Sequence, residues 1–172
     1  MQLSKALKKS YCYTLIRSDK REFGFTLIEL LVVIAIIAAL AVVVFVALNP
    51  SQRIIDSRDS RRNADVQSIL TSIHQSIVDN KGALPSGLTT GMAERQLGTA
   101  ASGCAVATNG CAVVNAACLD MSTPLVKYLK TIPVDPAGTA AVTGYSVVVD
   151  ANNIVTIKAC GTEGSTPISV SR

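Results

Sequence analysis

Gly24-Phe25-Thr26-Leu27-Ile28-Glu29 opens an apolar run that continues to Leu48, and the rest of the chain is read outward from it. Between Leu30 and Leu48 there is no charged residue, no Gly and no Pro; Leu, Val, Ile and Ala fill every position but Phe45. At about 1.5 Å per helical residue, Phe25 to Leu48 reaches roughly 36 Å, enough to cross a hydrocarbon core of about 30 Å. One carboxylate, Glu29, stands just inside this stretch. A lone carboxylate costs about 3 kcal/mol at the membrane centre and less near the interface, so it calls for a partner. The plainer reading makes Glu29 a solvated helix-start residue, favoured by the helix dipole.

The segment before the run is basic. Lys5, Lys8, Lys9, Arg17, Lys20 and Arg21 face only Asp19 and Glu22, so the net charge of +4 carried by the 172 residues lies entirely before Phe25. The remainder holds ten basic and ten acidic residues. A nucleic-acid-binding surface needs excess Lys and Arg on the folded part, and this chain lacks that excess. A basic flank instead predicts the N-terminus inside and the C-terminus outside. Arg53, Arg58, Arg61 and Arg62 beyond the run weigh against that orientation, interleaved with Asp56, Asp59 and Asp65. An ordinary secretory signal places small residues after its apolar core, whereas Ala35 to Ala41 lies inside this one, and the run exceeds a usual signal core.

The stretch Gly24 to Ala38, Gly-Phe-Thr-Leu-Ile-Glu-Leu-Leu-Val-Val-Ile-Ala-Ile-Ile-Ala, closely resembles the class III signal of type IV pilins and pseudopilins. The resemblance implies that a prepilin peptidase cuts after Gly24 and N-methylates Phe25. Glu29 becomes the fifth mature residue, whose carboxylate meets the Phe25 amine of the next subunit in a filament. The implied organisation is a cleaved leader (1–24), a transmembrane and filament-core half-helix (25–48), an amphipathic half-helix (49–80) and a globular head (81–172). The implied partners are further copies and related pilins, the prepilin peptidase, an inner-membrane assembly platform, and membrane lipid before assembly. The chain is expected in the inner membrane first, then in a surface pilus or a periplasmic pseudopilus.

Past the run, Asn49-Pro50 interrupts the helical pattern, because Pro disfavours helix at the residue before it. A kink is expected, with Ser51 as a new N-cap if the helix breaks. Ile54, Ile55, Val66, Ile69, Leu70, Ile73 and Ile77 then form a stripe at helical spacing. The Arg/Asp interleaving from Arg53 to Asp65 reads mostly as intrahelical ion pairs, with subunit contacts as the alternative. His74, the sole histidine, is expected at a surface or helix–sheet boundary without chemistry. Lys81-Gly82 closes the helix. A helical turn is expected over 92–97, a short helix over 124–130, strands over 144–150 and 154–160, and an edge strand over 168–170.

Cys104, Cys111, Cys118 and Cys160 form an even set in this part, whereas Cys12 stands alone in the leader. In a small exported domain such a set points to two disulfides. Metal ligation is disfavoured, with no Cys-x-x-Cys and His74 remote. A Cys104–Cys111 bond would staple a hairpin around Asn109-Gly110 and leave Cys118 to reach Cys160; the other two pairings stay open. Asp135, Asp150, Asn152 and Asn153 offer oxygen ligands for Ca²⁺, but these are ordinary turn residues. No nucleophile–base set, phosphate loop or cofactor fingerprint occurs, so no metal and no cofactor is assigned.

The fold class expected is α+β: a long kinked N-terminal helix, apolar then amphipathic, packed on a small antiparallel sheet. The function expected is that of a structural filament subunit and not of an enzyme. A pseudopilin of a type II secretion system is the nearest alternative, and a membrane-anchored binding module or enzyme a more distant one.

Overall fold

The computed structural model describes residues 24–172. Residues 1–23, with Cys12 and the expected basic leader, lie outside the described residues. Helix α1 spans Leu27–Leu48, and none of its residues is buried. It is long and apolar enough to cross a membrane. Helix α2 spans Pro50–Asp79, so Asn49 alone separates the two. Asn49 adopts φ 41° and ψ 71°, a left-handed conformation that Asn tolerates better than most residues. Pro50 contributes, since its pyrrolidine ring disfavours right-handed helix at Asn49, and its missing N–H is harmless in the first helical position. The cap position thus falls on Asn49 and not on Ser51, whose hydroxyl donates to Asn49 Oδ1 at 2.9 Å.

One face of α2 lies on a four-stranded antiparallel sheet in the order β1 (Arg95–Gln96), β2 (Tyr145–Val149), β3 (Val155–Ala159), β4 (Ile168–Ser171). Register pairs Val147 with Ile157 and Ile157 with Val170. Alternation puts Tyr145, Val147 and Val149 of β2 and Val155, Ile157 and Ala159 of β3 into the core. There they meet Val66, Ile69, Leu70 and Ile73 of α2. Each such aliphatic side chain contributes about 1.5–3 kcal/mol on burial. The expected stripe is correct from Val66 onward, but Ile54 is exposed because no sheet lies beneath the first turns of α2.

Two local readings are corrected. Residues 92–97 hold no helical turn but carry β1 at Arg95–Gln96, with Leu97 bridging to Leu119: Leu97 N–H donates to Tyr145 O at 2.8 Å and Leu119 N–H to Gln96 O at 2.8 Å. Pairing on both sides outweighs the weak helical preference of so short a segment. The helix expected over 124–130 shortens to α3 (Ser122–Leu125), followed by turns. Lys127 and Tyr128 are drawn aside to Asp79 of α2, whose Oδ2 accepts from Lys127 Nζ at 2.5 Å and from the Tyr128 hydroxyl at 2.9 Å.

The end of α2 contains a strained residue. Gly82 N–H reaches Ile77 O at 2.8 Å and Lys81 N–H reaches Val78 O at 3.2 Å, the paired closing bonds of a Schellman cap. Lys81, with φ 57°, and Gly82, with φ 94°, both take positive φ there, and only Lys81 carries a Cβ into that region. A Lys81→Gly variant is therefore expected to gain about 0.5–1 kcal/mol, measured as a raised urea midpoint, because Gly meets no Cβ penalty there.

Candidate processing and assembly site

Thr26 is the N-cap of α1 and Glu29 sits three residues on. Glu29 Oε2 accepts from Thr26 N–H at 2.9 Å and from the Thr26 hydroxyl at 2.8 Å, while Glu29 N–H donates back to Thr26 Oγ1 at 3.2 Å. This is a reciprocal capping box, which satisfies donors that a helix start otherwise leaves open. The Thr-x-x-Glu spacing that signals it is present in the sequence, so Thr26 was legible there and went unread. The box engages Oε2 only; Oε1 has no hydrogen-bond partner among the described residues. Phe25 is 87% exposed. Among the described residues a Cβ on Gly24 would meet no atom within 4 Å, and its φ lies outside the left-handed region, so their fold does not require glycine there.

The prokaryotic N-terminal methylation motif matches residues 19–45, bracketing the Gly24-Phe25 bond, the capping box and most of α1. The chain carries the class III signal of type IV pilins and pseudopilins. No curated protein and no solved structure matches the chain significantly. The class III signal implies processing by a prepilin peptidase and assembly with other pilins, and the apolar helix behind it fits membrane anchoring. Proteins bearing it are structural subunits. The α+β arrangement of helix and antiparallel sheet is the pilin-like one.

Behind the class III signal, a buried arginine on α2 adds a polar fastening between α2 and the head to their shared apolar core. Arg62 is fully buried and grips Asp135 with two donors, Nε to Oδ2 and Nη2 to Oδ1, the latter at 3.1 Å. Its other contacts are Asp59 at 2.8 Å and Glu163 at 3.1 Å. Asp135 raises the Arg62 pKa further, against the opposing effect of burial. Burial pushes Asp59 up, but Arg62 and the N–H groups of Glu163 and Gly164 outweigh it and hold its carboxyl below the usual range. The expectation of mainly intrahelical pairs is therefore corrected. Arg61–Asp65 at 3.8 Å and Arg62–Asp59 are intrahelical, but Arg62 and Arg58 reach Asp135 and Glu163 in the distant chain. A guanidinium is suited to this role, since its planar fork matches a carboxylate and its charge persists on burial.

Asp135 occupies a cradle that only glycine leaves open: a Cβ on Gly144 would lie 2.7 Å from Asp135 Cβ, and one on Gly161 would lie 3.0 Å from Oδ2. Both Asp135 oxygens are held by Arg62, and Oδ1 also accepts from Ala137 N–H at 2.8 Å. Asp150 Oδ1 accepts from the N–H groups of Asn152 and Ile154, each at 2.8 Å, which organises the β2–β3 turn. Asp135 lies beside Gly144 at one end of β2, and Asp150, Asn152 and Asn153 form the turn at the other, so the four do not make one ligand set. His74 is half-buried on α2, and its Nε2 has no hydrogen-bond partner.

The cysteines join as Cys104–Cys118 and Cys111–Cys160. The pairing Cys104–Cys111 with Cys118–Cys160 is corrected by the hairpin itself. Val106 and Val113 exchange hydrogen bonds at 2.9 and 2.8 Å, and Cys111 N–H closes the turn onto Thr108 O. That register puts Cys111 at the tip and Cys104 at the base, where Cys104 N–H meets Ala116 O at 2.9 Å beside Cys118. Glu94, Cys111 and Cys160 lie close together, but both sulfurs are in the disulfide and Glu94 accepts from Lys158 Nζ at 2.8 Å and Ser146 Oγ at 2.6 Å. This buried ion pair ties β1's approach to β3 on the sheet's outer face.

Proposed function

We propose that the chain is the precursor of a type IV pilin-like filament subunit, cut after Gly24, N-methylated on Phe25 and polymerised through α1. The observation that carries this reading is the coincidence of the methylation motif with a glycine the fold does not need. A residue kept small without local cause is understood if an enzyme must close on the bond beside it. In this reading the membrane stores subunits with N-terminus inside and C-terminus outside, and the unburied face of α1 passes from lipid into the filament core. The free Oε1 of Glu29 accepts the Phe25 amine of a neighbouring copy and sets register. Its partners are other copies and related pilins, the prepilin peptidase and an inner-membrane assembly platform; no catalysis is assigned to it.

The test is the intact mass of the protein in sheared extracellular filaments and in membranes. A mass beginning at methylated Phe25 and abundant in filaments supports a pilin. A processed mass confined to the envelope moves the assignment to a pseudopilin of a type II secretion system, which carries the same signal. An unprocessed chain starting at Met1 in both fractions overturns the proposal and leaves a membrane-anchored module.

Glu29→Gln separates charge from capping, because the amide keeps an oxygen for Thr26. Filament yield is expected to fall about tenfold or more, since a charge-assisted bond of about 1.5–3 kcal/mol is lost at each subunit contact. Membrane level and processing should stay unchanged. Undiminished filaments would remove Glu29 from the register mechanism.

A further inference from the structure

Asn109-Gly110 is the only Asn-Gly pair in the sequence, and it forms the tip of the disulfide-clipped hairpin. Asn109 has φ 51° and Gly110 φ 83°. The side-chain amide is not idle there. Nδ2 donates to Cys160 O at 3.0 Å and to Thr162 O at 2.9 Å, and Thr108 Oγ1 donates to the same Cys160 carbonyl at 3.0 Å. Gly110 O accepts from Lys158 Nζ at 3.0 Å. The Cys111–Cys160 bond fastens the next residue to the same strand end. Asn109 itself remains exposed, so water reaches it.

An Asn followed by Gly is prone to a spontaneous reaction. The Gly nitrogen attacks the side-chain carbonyl carbon, forming a C–N bond, while the Cγ–Nδ2 bond breaks and ammonia leaves. Water then opens the cyclic imide to aspartate or isoaspartate. The unhindered glycine makes the attack easy, provided that the backbone is free to bring the nitrogen onto the carbonyl. Here the leaving nitrogen is held by two carbonyls and the attacking residue by Lys158. The product would be worse than the reactant at this position, since a carboxylate accepts only and would face two acceptors.

We propose that Asn109 is a conformationally guarded deamidation site, whose conversion makes the opening of the Cys111–Cys160 clip irreversible. While the hairpin is docked, two hydrogen bonds and the disulfide suppress the reaction. Once a thiol reductant has opened the Cys111–Cys160 bond by exchange, becoming a disulfide itself and leaving two cysteine thiols, the tip swings free, the amide hydrolyses, and the resulting charge blocks return to the strand. The site would thus record whether a subunit has lost its clip.

The test uses the full chain in detergent, incubated at neutral pH in three forms: oxidised, Cys111→Ser/Cys160→Ser, and reduced and denatured. Peptide mass mapping follows acid and isoaspartate at position 109. The oxidised form is expected to react about tenfold or more slowly than the denatured form, because both hydrogen bonds of the amide must be given up first, with the double variant between them. Equal rates in the oxidised and denatured forms, or no reaction at Asn109 when denatured, would overturn the proposal. The second half is tested by reoxidation. Asn109→Asp should recover the Cys111–Cys160 bond less completely than Asn109→Gly, which also lacks the amide but adds no charge. Equal recovery would overturn the irreversibility.

Discussion

An Asp135→Ala head is expected to lose most of its stability. Removing one partner of a buried ion pair costs about 3–5 kcal/mol, against total stabilities of about 5–15 kcal/mol for ordinary domains. Arg62 would keep Asp59 and Glu163, but its two-pronged contact would be gone and its charge would stay buried. Urea titration of the detergent-solubilised chain, with helix content as the signal, measures the effect. Arg62→Met combined with Asp135→Leu should recover much of the loss, because two apolar groups leave no buried charge unpaired. An unchanged midpoint in Asp135→Ala would show that the pair does not fasten the head. Acid should act on the same cluster from another side. The carboxyl of Asp59 is held low, so its stabilisation is present above the ordinary carboxylate value of about 4 and is lost as pH falls below it.

Gly24→Leu is expected to stop maturation while leaving the fold intact. Among the described residues no atom lies within 4 Å of the position where a Cβ would stand, so nothing in them resists the substitution. A peptidase that closes on bare backbone would meet a branched side chain, and cleavage should fall about a hundredfold or more. Intact mass would then show the chain starting at Met1, without methylation, and filaments would be absent. Normal processing in this variant would sink the assignment of Gly24-Phe25 as the cut bond.

The long helical region and the sheet's central hairpin were readable in advance because each is written in local periodicity. Leu30 to Leu48 is apolar throughout, and Tyr145 to Val149 and Val155 to Ala159 are β-branched runs around an Asp-Asn turn. The methylation motif was readable because its residues are contiguous. What escaped were features fixed by tertiary contact. Arg62 looked like one of four arginines on a helix, and only the fold brings Asp135, 73 positions away, onto its guanidinium. Asp135 looked like a turn residue, and the glycines that make room for it, Gly144 and Gly161, are separated from it along the chain. β1 has two residues and no pattern of its own; it exists because Leu97 and Gln96 find partners on both sides. The cysteine pairing depended on which end of a hairpin each residue occupies, and a spacing does not encode that.

The disulfides have a consequence for the order in which the head matures. Their spans interleave, so neither closes a loop that contains both members of the other. The nearest available neighbour of Cys104 along the chain is Cys111, and random closure favours short rings. An emerging chain that oxidised at once would therefore be drawn to the wrong bond. The correct partner of Cys111 is Cys160, 49 positions further on and directly after β3. The head thus has a late checkpoint: β3 and the residue after it must be delivered before the earlier cysteines are correctly spent. A subunit truncated before β3 would be left with an odd thiol, a chemical flag that distinguishes it from a finished one.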